Sequence, residues 1–369
     1  MHGRNRAEFT ARMAKPEVIQ QMNKKVDNYH TLKIALIGRR QSPSTPESST
    51  ETLSFLSKLL PINPDYYSLW NHRREVIQDT LLPLNTKTCE LELKLTEQCL
   101  RKNPKCYGAW FHRKWTLQQL SGSDIRMDLL KNEIAMTSNF LLLDERNFHC
   151  WNFRRFVVYL LVGGDGGGGG GDFAAAFSKQ VATPPPPPPT TIAATATIDA
   201  IIQSEFEFTR DKIDTNFSNY SAFHYRSKLL PLILNSKSKS KSNSNSKLEI
   251  AREELQICQS AVFTEPADQS AWIYFRFVLD WAKPPLPHKL SNKEVRDYVD
   301  LLSEQTIPLK ELIEDENAEN KWSLLCLHNI LSTLHVLVGD LDDDAKKLVR
   351  LVMLVDPAKK ARYSRILMK

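Results

Sequence analysis

A tryptophan-centred peptide that returns about every forty residues limits the fold of this chain more than anything else in it. Trp70 stands in Asn63-Pro-Asp-Tyr-Tyr-Ser-Leu-Trp-Asn-His-Arg-Arg74, and Trp110 in Asn103-Pro-Lys-Cys-Tyr-Gly-Ala-Trp-Phe-His-Arg-Lys114. Trp151 stands in Asp144-Glu-Arg-Asn-Phe-His-Cys-Trp-Asn-Phe-Arg-Arg155. Degenerate copies follow at Asn219-Tyr-Ser-Ala-Phe-His-Tyr-Arg226 and Asp268-Gln-Ser-Ala-Trp-Ile-Tyr-Phe-Arg276. A weaker sixth copy centres on Trp322, and Asp356-Pro357 opens a terminal cap. A fixed period of this length is the signature of a stacked repeat in which no single unit can bury its own apolar face.

Each copy reads as a helical pair. Leu53, Leu56, Leu59 and Leu60 before the first copy, and Leu91, Leu95 and Cys99 before the second, have helical spacing. Asn-Pro then stops that helix, because proline clashes with the preceding turn and turns its neighbour away from α. In the second helix Tyr67/Trp70/Ile77, Tyr107/Trp110/Leu117 and Phe148/Trp151/Val158 fit one buried face. The Arg pair after each Trp is expected to bind acids or carbonyls of the neighbouring repeat. The fold class is therefore all-α: one 1–369 repeat domain, a right-handed α-α superhelix of crescent shape with disordered loop insertions.

The period is broken twice. Trp151 and Phe223 are too far apart by roughly the length of the Gly-rich, polyproline and Ala/Thr stretch 163–197. The gap from Phe223 to Trp272 is widened by the Lys/Ser/Asn tract 236–247. Such compositions cannot bury apolar area and read as surface loops; 39–50 is a shorter linker of the same kind. Eight of the 13 glycines fall in the first insertion, so the remainder is too glycine-poor for a hairpin-rich sheet or a phosphate-cradling Gly loop. The net charge of +6 is also local: residues 1–40 and the 236–247 tract carry all of it, and the rest of the chain is net acidic. That excludes a general nucleic-acid footprint. The longest apolar run, Phe156–Val162, is too short for a membrane span, and the basic first residues lack the apolar core of a secretory signal. Six cysteines without a CxxC pair are expected as thiols, and the location as cytoplasmic.

The repeat, with Met1-His-Gly-Arg4, Asn103-Pro-Lys-Cys-Tyr-Gly108, Asp144-Glu-Arg-Asn-Phe-His-Cys-Trp151, Asn216-Phe-Ser-Asn-Tyr-Ser221 and Phe263-Thr-Glu-Pro-Ala-Asp-Gln-Ser-Ala-Trp272, resembles the α subunits of the protein prenyltransferases. Within that family it is most similar to the geranylgeranyl branch that modifies Rab GTPases. The resemblance covers the chain apart from the two insertions. It implies a crescent wrapped around a β subunit, which holds the isoprenoid pocket and the zinc. It also implies transfer of geranylgeranyl from geranylgeranyl diphosphate to C-terminal cysteines of Rab GTPases presented by a Rab escort protein. The chain itself offers no HExxH, CxxC or paired ligand set, so no metal site of its own is expected.

By the same resemblance, Lys105 matches the lysine that reaches the leaving diphosphate, Tyr107 a hydroxyl donor beside it, and His149 the histidine at the same mouth. Each has a plainer reading: a solvated loop lysine, a packed aromatic, and a histidine that satisfies a carbonyl. His2 could approach the open position of the partner's zinc, or belong to an unstructured terminus. The farnesyl branch follows its tyrosine with a glutamine that holds a CaaX carboxylate; here that position is Gly108, which points away from CaaX peptides. The alternatives are the α subunit of farnesyltransferase or geranylgeranyltransferase type I, and a non-catalytic tetratricopeptide-like adaptor. The adaptor's shorter period and different signature do not match.

Overall fold

The structure, a computed structural model, describes residues 10–11, 13–39, 46–82, 84–119, 123–162, 192–239, 247–284 and 293–338, with 350, 354–355 and 364 besides. Among them stand 13 helices, in two compact units, Met1–Asp172 and Phe173–Lys369. Where the sequence reads one repeat domain, the division falls inside the first insertion. His2, most of that insertion and the cap at Asp356-Pro357 lie outside the described residues.

The first unit holds α1 (Pro16–Arg39), α2 (Pro46–Leu59), α3 (Tyr67–Thr80), α4 (Thr86–Lys102), α5 (Tyr107–Gln118), α6 (Ser123–Leu143) and α7 (Phe148–Leu161). The second holds α8 (Ile192–Thr215), α9 (Tyr220–Lys239), α10 (Lys247–Thr264), α11 (Gln269–Ala282), α12 (Lys293–Asp315) and α13 (Lys321–Val338). The helices pack as α2 on α3, α4 on α5 and α6 on α7, then α8 on α9, α10 on α11 and α12 on α13. Within each unit the second helices also touch in succession, α3 to α5 to α7 and α9 to α11 to α13. The all-α repeat of helical pairs is as expected.

Two side chains explain why the repeat keeps its signature. The indole Nε1 of each buried Trp donates to the carbonyl six residues earlier: Trp70 to Pro64, Trp110 to Pro104, Trp151 to Glu145 and Trp272 to Pro266, all at 2.8 Å. The Trp is thus core and loop clamp together, since a buried indole N–H needs an acceptor. In three copies the first basic residue, three positions past the Trp or its Phe counterpart, makes a bidentate pair with a glutamate on the first helix of the next pair. Arg73 meets Glu92 at 2.6 Å, Arg113 meets Glu133 at 2.5 and 2.6 Å, and Arg226 meets Glu254 at 2.6 and 2.8 Å. The same guanidiniums donate to carbonyls of their own first helix, those of Leu53, Leu93 and Phe206. The second basic residue behaves differently from expectation. Arg74 lies over the ring of Phe111 and Lys114 over that of Phe156, where a cation gains from the ring face.

Other expectations need correcting. Tyr67, Tyr107 and Phe148 are not part of the buried stripe; they are 50%, 67% and 49% exposed. Each opens its helix, so its side chain lies at the loop end, off the packed layer. Leu91 is likewise exposed, whereas Leu95 and Cys99 are buried. In the sixth pair the core position four residues past the N-terminal cap belongs to fully buried Leu324, two residues beyond Trp322. Helix α8 starts at Ile192 and α9 continues to Lys239, so both insertions are shorter than their low-complexity composition suggests. Helix α2 starts at Pro46, where a missing N–H costs nothing, which trims the 39–50 linker. Helix α1 was unanticipated. Its apolar residues are sparse, and only toward its C-terminal end, at Leu36, does it bury one fully.

Candidate functional site

The predicted site residues of the first unit lie on the loops that enter α5 and α7. Helix α4 ends at Lys102, and Asn103 follows as its cap in a non-helical conformation. The Asn103 amide donates to both carboxylate oxygens of Asp65 in the preceding loop, at 2.9 and 2.8 Å, while its Oδ1 accepts from the backbone N–H of Lys105. On the other side, the Pro104 carbonyl accepts from Trp110 Nε1 and, at 3.0 Å, from Nδ2 of Asn147 in the following loop. The peptide that carries Lys105 is therefore tied to both neighbours.

Its ammonium projects outward, half-exposed, with Nζ 3.5 Å from Asp144 Oδ2. Tyr107 stands edge-on to His149, ring centroids 4.2 Å apart, and Phe148 lies 4.0 Å from the same imidazole. His149 is itself buried. Burial lowers its pKa, and the charge of Lys105 lowers it further, so the ring is neutral at neutral pH. Lys105 and His149, from two successive repeats, are thus brought to one edge together with Tyr107. A fixed cation, a phenolic hydroxyl and a neutral imidazole together suit an anion with developing charge.

The first unit offers no thiolate to act as nucleophile. All six cysteines of the chain are buried and unbridged, and burial pushes the thiols of Cys89, Cys99 and Cys150 up to about 12 and that of Cys106 to about 11. Among the described residues no three His, Cys, Asp or Glu side chains gather as a metal ion needs, and no helix is long and apolar enough to cross a membrane. A cleft of about 220 Å³ lined by Glu97, Arg101, Met136 and Phe140 contains none of the site residues. The edge thus presents a cation, a phenol and an imidazole side by side.

Sequence reasoning gave Asp144 and Asn147 no site role and placed Phe148 in the buried stripe of its helix. The recurrence of an aromatic three residues before Trp70, Trp110 and Trp151 marks Phe148, but as core and not as a neighbour of His149. Asn147 carried a signal too, because asparagine is a strong helix N-cap and here caps α7. Gly108 gains a physical reason that the sequence did not show. A Cβ at this position would lie 2.4 Å from Trp70 Cδ1 and 2.8 Å from its Nε1, and Trp70 is fully buried with that nitrogen already bonded. We expect Gly108→Gln to destabilise the chain by about 1–3 kcal/mol through overpacking. Urea unfolding beside the wild type checks this, and an unchanged midpoint refutes it.

Comparison with known proteins bears on the repeat. The model of the protein prenyltransferase alpha subunit repeat matches residues 49–80, 89–120, 130–161, 202–233 and 251–282. Each match covers most of one helical pair and ends ten residues past its Trp or Phe. The geranylgeranyl transferase type-2 subunit alpha of Bos taurus is 34% identical over 288 residues, which is 77% of this chain and 42% of that protein. The chain thus spans less than half the length of that mammalian relative. The subunit of the same name from Saccharomyces cerevisiae is 28% identical across 100% of this chain and 99% of its own length. Among solved structures, a chain of a Candida albicans protein geranylgeranyltransferase-I complexed with GGPP shares the fold. It has a TM-score of 0.57 and 16% identity, and the match covers 93% of this chain and 90% of that one.

Proposed function

The chain belongs to the protein prenyltransferase alpha subunit family, and on that footing we propose that it is the α subunit of a heterodimeric geranylgeranyltransferase acting on Rab GTPases. Its obligate partner is a prenyltransferase β subunit, its lipid substrate geranylgeranyl diphosphate, and its protein substrate a Rab presented by an escort protein. The working location is the cytoplasm. The observation that carries the reading is the loop edge of the first unit. Lys105 is a held but outward-facing cation beside Tyr107 and neutral His149, an arrangement suited to an anion.

In the proposed reaction the Rab cysteine sulfur forms a bond to C1 of the prenyl chain while the C1–O bond to diphosphate breaks. A zinc ion, if held by the β subunit, would lower the pKa of that thiol and so raise the population of thiolate. Lys105 places its ammonium against the departing diphosphate, where charge accumulates, so its attraction grows toward the transition state. Tyr107 donates its hydroxyl to the same group. The neutral ring of His149 supports Tyr107 without adding a second cation. Gly108 fits a substrate that need not be gripped by one fixed carboxylate: a glutamine there would have to displace the buried Trp70 indole.

The test is co-expression with candidate β subunits, then transfer from labelled geranylgeranyl diphosphate to a Rab–escort complex or to a CaaX peptide. Transfer to the Rab complex alone is expected. Preference for the CaaX peptide would move the chain to the type I and farnesyl branch, and the absence of a stable heterodimer would overturn an enzyme-subunit role.

A further inference from the structure

We propose that Asn147 is a positioning residue that sets Lys105 and His149 in register with each other; the inference rests on the functional reading above and deepens it. The Asn147 carboxamide is 1% exposed and uses both ends across a repeat boundary. Its Oδ1 accepts from the backbone N–H groups of His149 and Cys150, at 3.1 and 3.2 Å, which fixes the first turn of α7 and with it the imidazole. Its Nδ2 donates to the carbonyl of Pro104, the peptide immediately before Lys105. The backbone N–H of Asn147 also bonds to the carbonyl of Asp144, the residue whose carboxylate faces the Lys105 ammonium. One residue therefore joins the cation of one repeat to its counter-charge and the imidazole of the next.

The equivalent side chain of the second unit separates positioning from scaffolding. Asn320 donates to the Pro266 carbonyl at 2.7 Å and caps α13 through the N–H groups of Trp322 and Ser323, yet the loop it grips carries no lysine at the position of Lys105. If the device were scaffold alone, both asparagines would behave alike. Serine keeps the cap acceptor but is too short to reach the proline carbonyl, which the Trp indole still satisfies in either case.

The experiment is a double-mutant cycle in the purified heterodimer, with geranylgeranyl diphosphate and a Rab–escort complex as substrates. Asn147→Ser is expected to lower kcat roughly 10- to 100-fold, the scale of a small misplacement of a reacting group, with KM for the Rab complex within about twofold. Asn320→Ser is expected to leave kcat unchanged at a similar shift in thermal midpoint. In a Lys105→Ala background, Asn147→Ser should cost little further rate, because one of the two groups it sets in register is gone. Full additivity of the two losses, equal kcat losses for Asn147→Ser and Asn320→Ser, or an Asn147→Ser enzyme with full rate would each overturn the proposal while leaving the transferase reading intact. An inactive wild-type heterodimer would instead remove the reading and the proposal together.

Discussion

Replacing Lys105 with alanine is expected to lower turnover about 10²–10³-fold while the heterodimer still assembles. The size follows from where the charge sits. Lys105 is on a loop clamped by Asp65, Trp110 and Asn147, so its ammonium need not be gathered from solution at the moment the leaving group departs. The separation from assembly follows from exposure. The side chain is half-exposed, and its 3.5 Å pair with Asp144 is of the exposed kind that contributes about 0–1 kcal/mol. Lys105→Arg should restore part of the rate, since it returns a cation with different reach. Lys131→Ala, at an exposed lysine on the outer face of α6, should leave the rate unchanged. Single-turnover transfer beside size-exclusion of the complex separates the outcomes. An alanine variant with full rate, or one that no longer binds the β subunit, would place Lys105 outside the leaving-group site.

The sequence exposed the pairs of helices because the same physical problem is solved in each copy. A Trp that must bury its ring and find an acceptor, followed three residues later by an Arg that must find a carboxylate, leaves a trace too regular to miss. The ends of these helices were harder to read. Tyr67, Tyr107 and Phe148 share the helical spacing of the core but lie on the first residue of their helices, where spacing no longer reports which side faces inward. Position along the helix, and not period, decided their exposure. Trp322 misled for the related reason that a large aromatic resembles the signature, while Leu324 has the register set by the Asn320 cap. At the site, Lys105, Tyr107 and His149 were legible through resemblance. Asn147 was passed over because its partner, the Pro104 carbonyl, is a backbone atom 43 residues away. Backbone acceptors have no letter in a sequence. Gly108 was seen as a missing side chain, whereas its cause is the indole of Trp70 in the preceding repeat.

Glu92 is where the largest loss of stability is expected. Its two oxygens accept from Arg73 at 2.6 Å each, and Oε2 also accepts from His112 Nε2 at 2.9 Å, with all three side chains almost wholly buried. A carboxylate can only accept, so His112 must carry its proton on Nε2, which leaves Nδ1 as a bare lone pair. That agrees with Nδ1 being buried without a partner. Removing the carboxylate strands a buried guanidinium, and Glu92→Ala should cost about 3–5 kcal/mol. Glu97→Gln, which breaks the exposed pair with Arg101, should cost about 1 kcal/mol or less. Acid should act at the same place. Burial alone would raise the pKa of Glu92, but the bonds from His112 and Arg73 outweigh it and hold the group at about 2. Its contribution is then complete above the ordinary carboxylate value of about 4.3 and is lost as pH falls from there toward 2. Burial lowers the pKa of His112, so the unfolded chain takes up that proton first, and stability already declines below about pH 6.5. Urea midpoints measured from pH 7 to 3 should therefore fall more steeply for the wild type than for Glu92→Gln. Parallel slopes, or a Glu92→Ala chain within 1 kcal/mol of the wild type, would show that the inter-repeat carboxylate does not hold the first unit together.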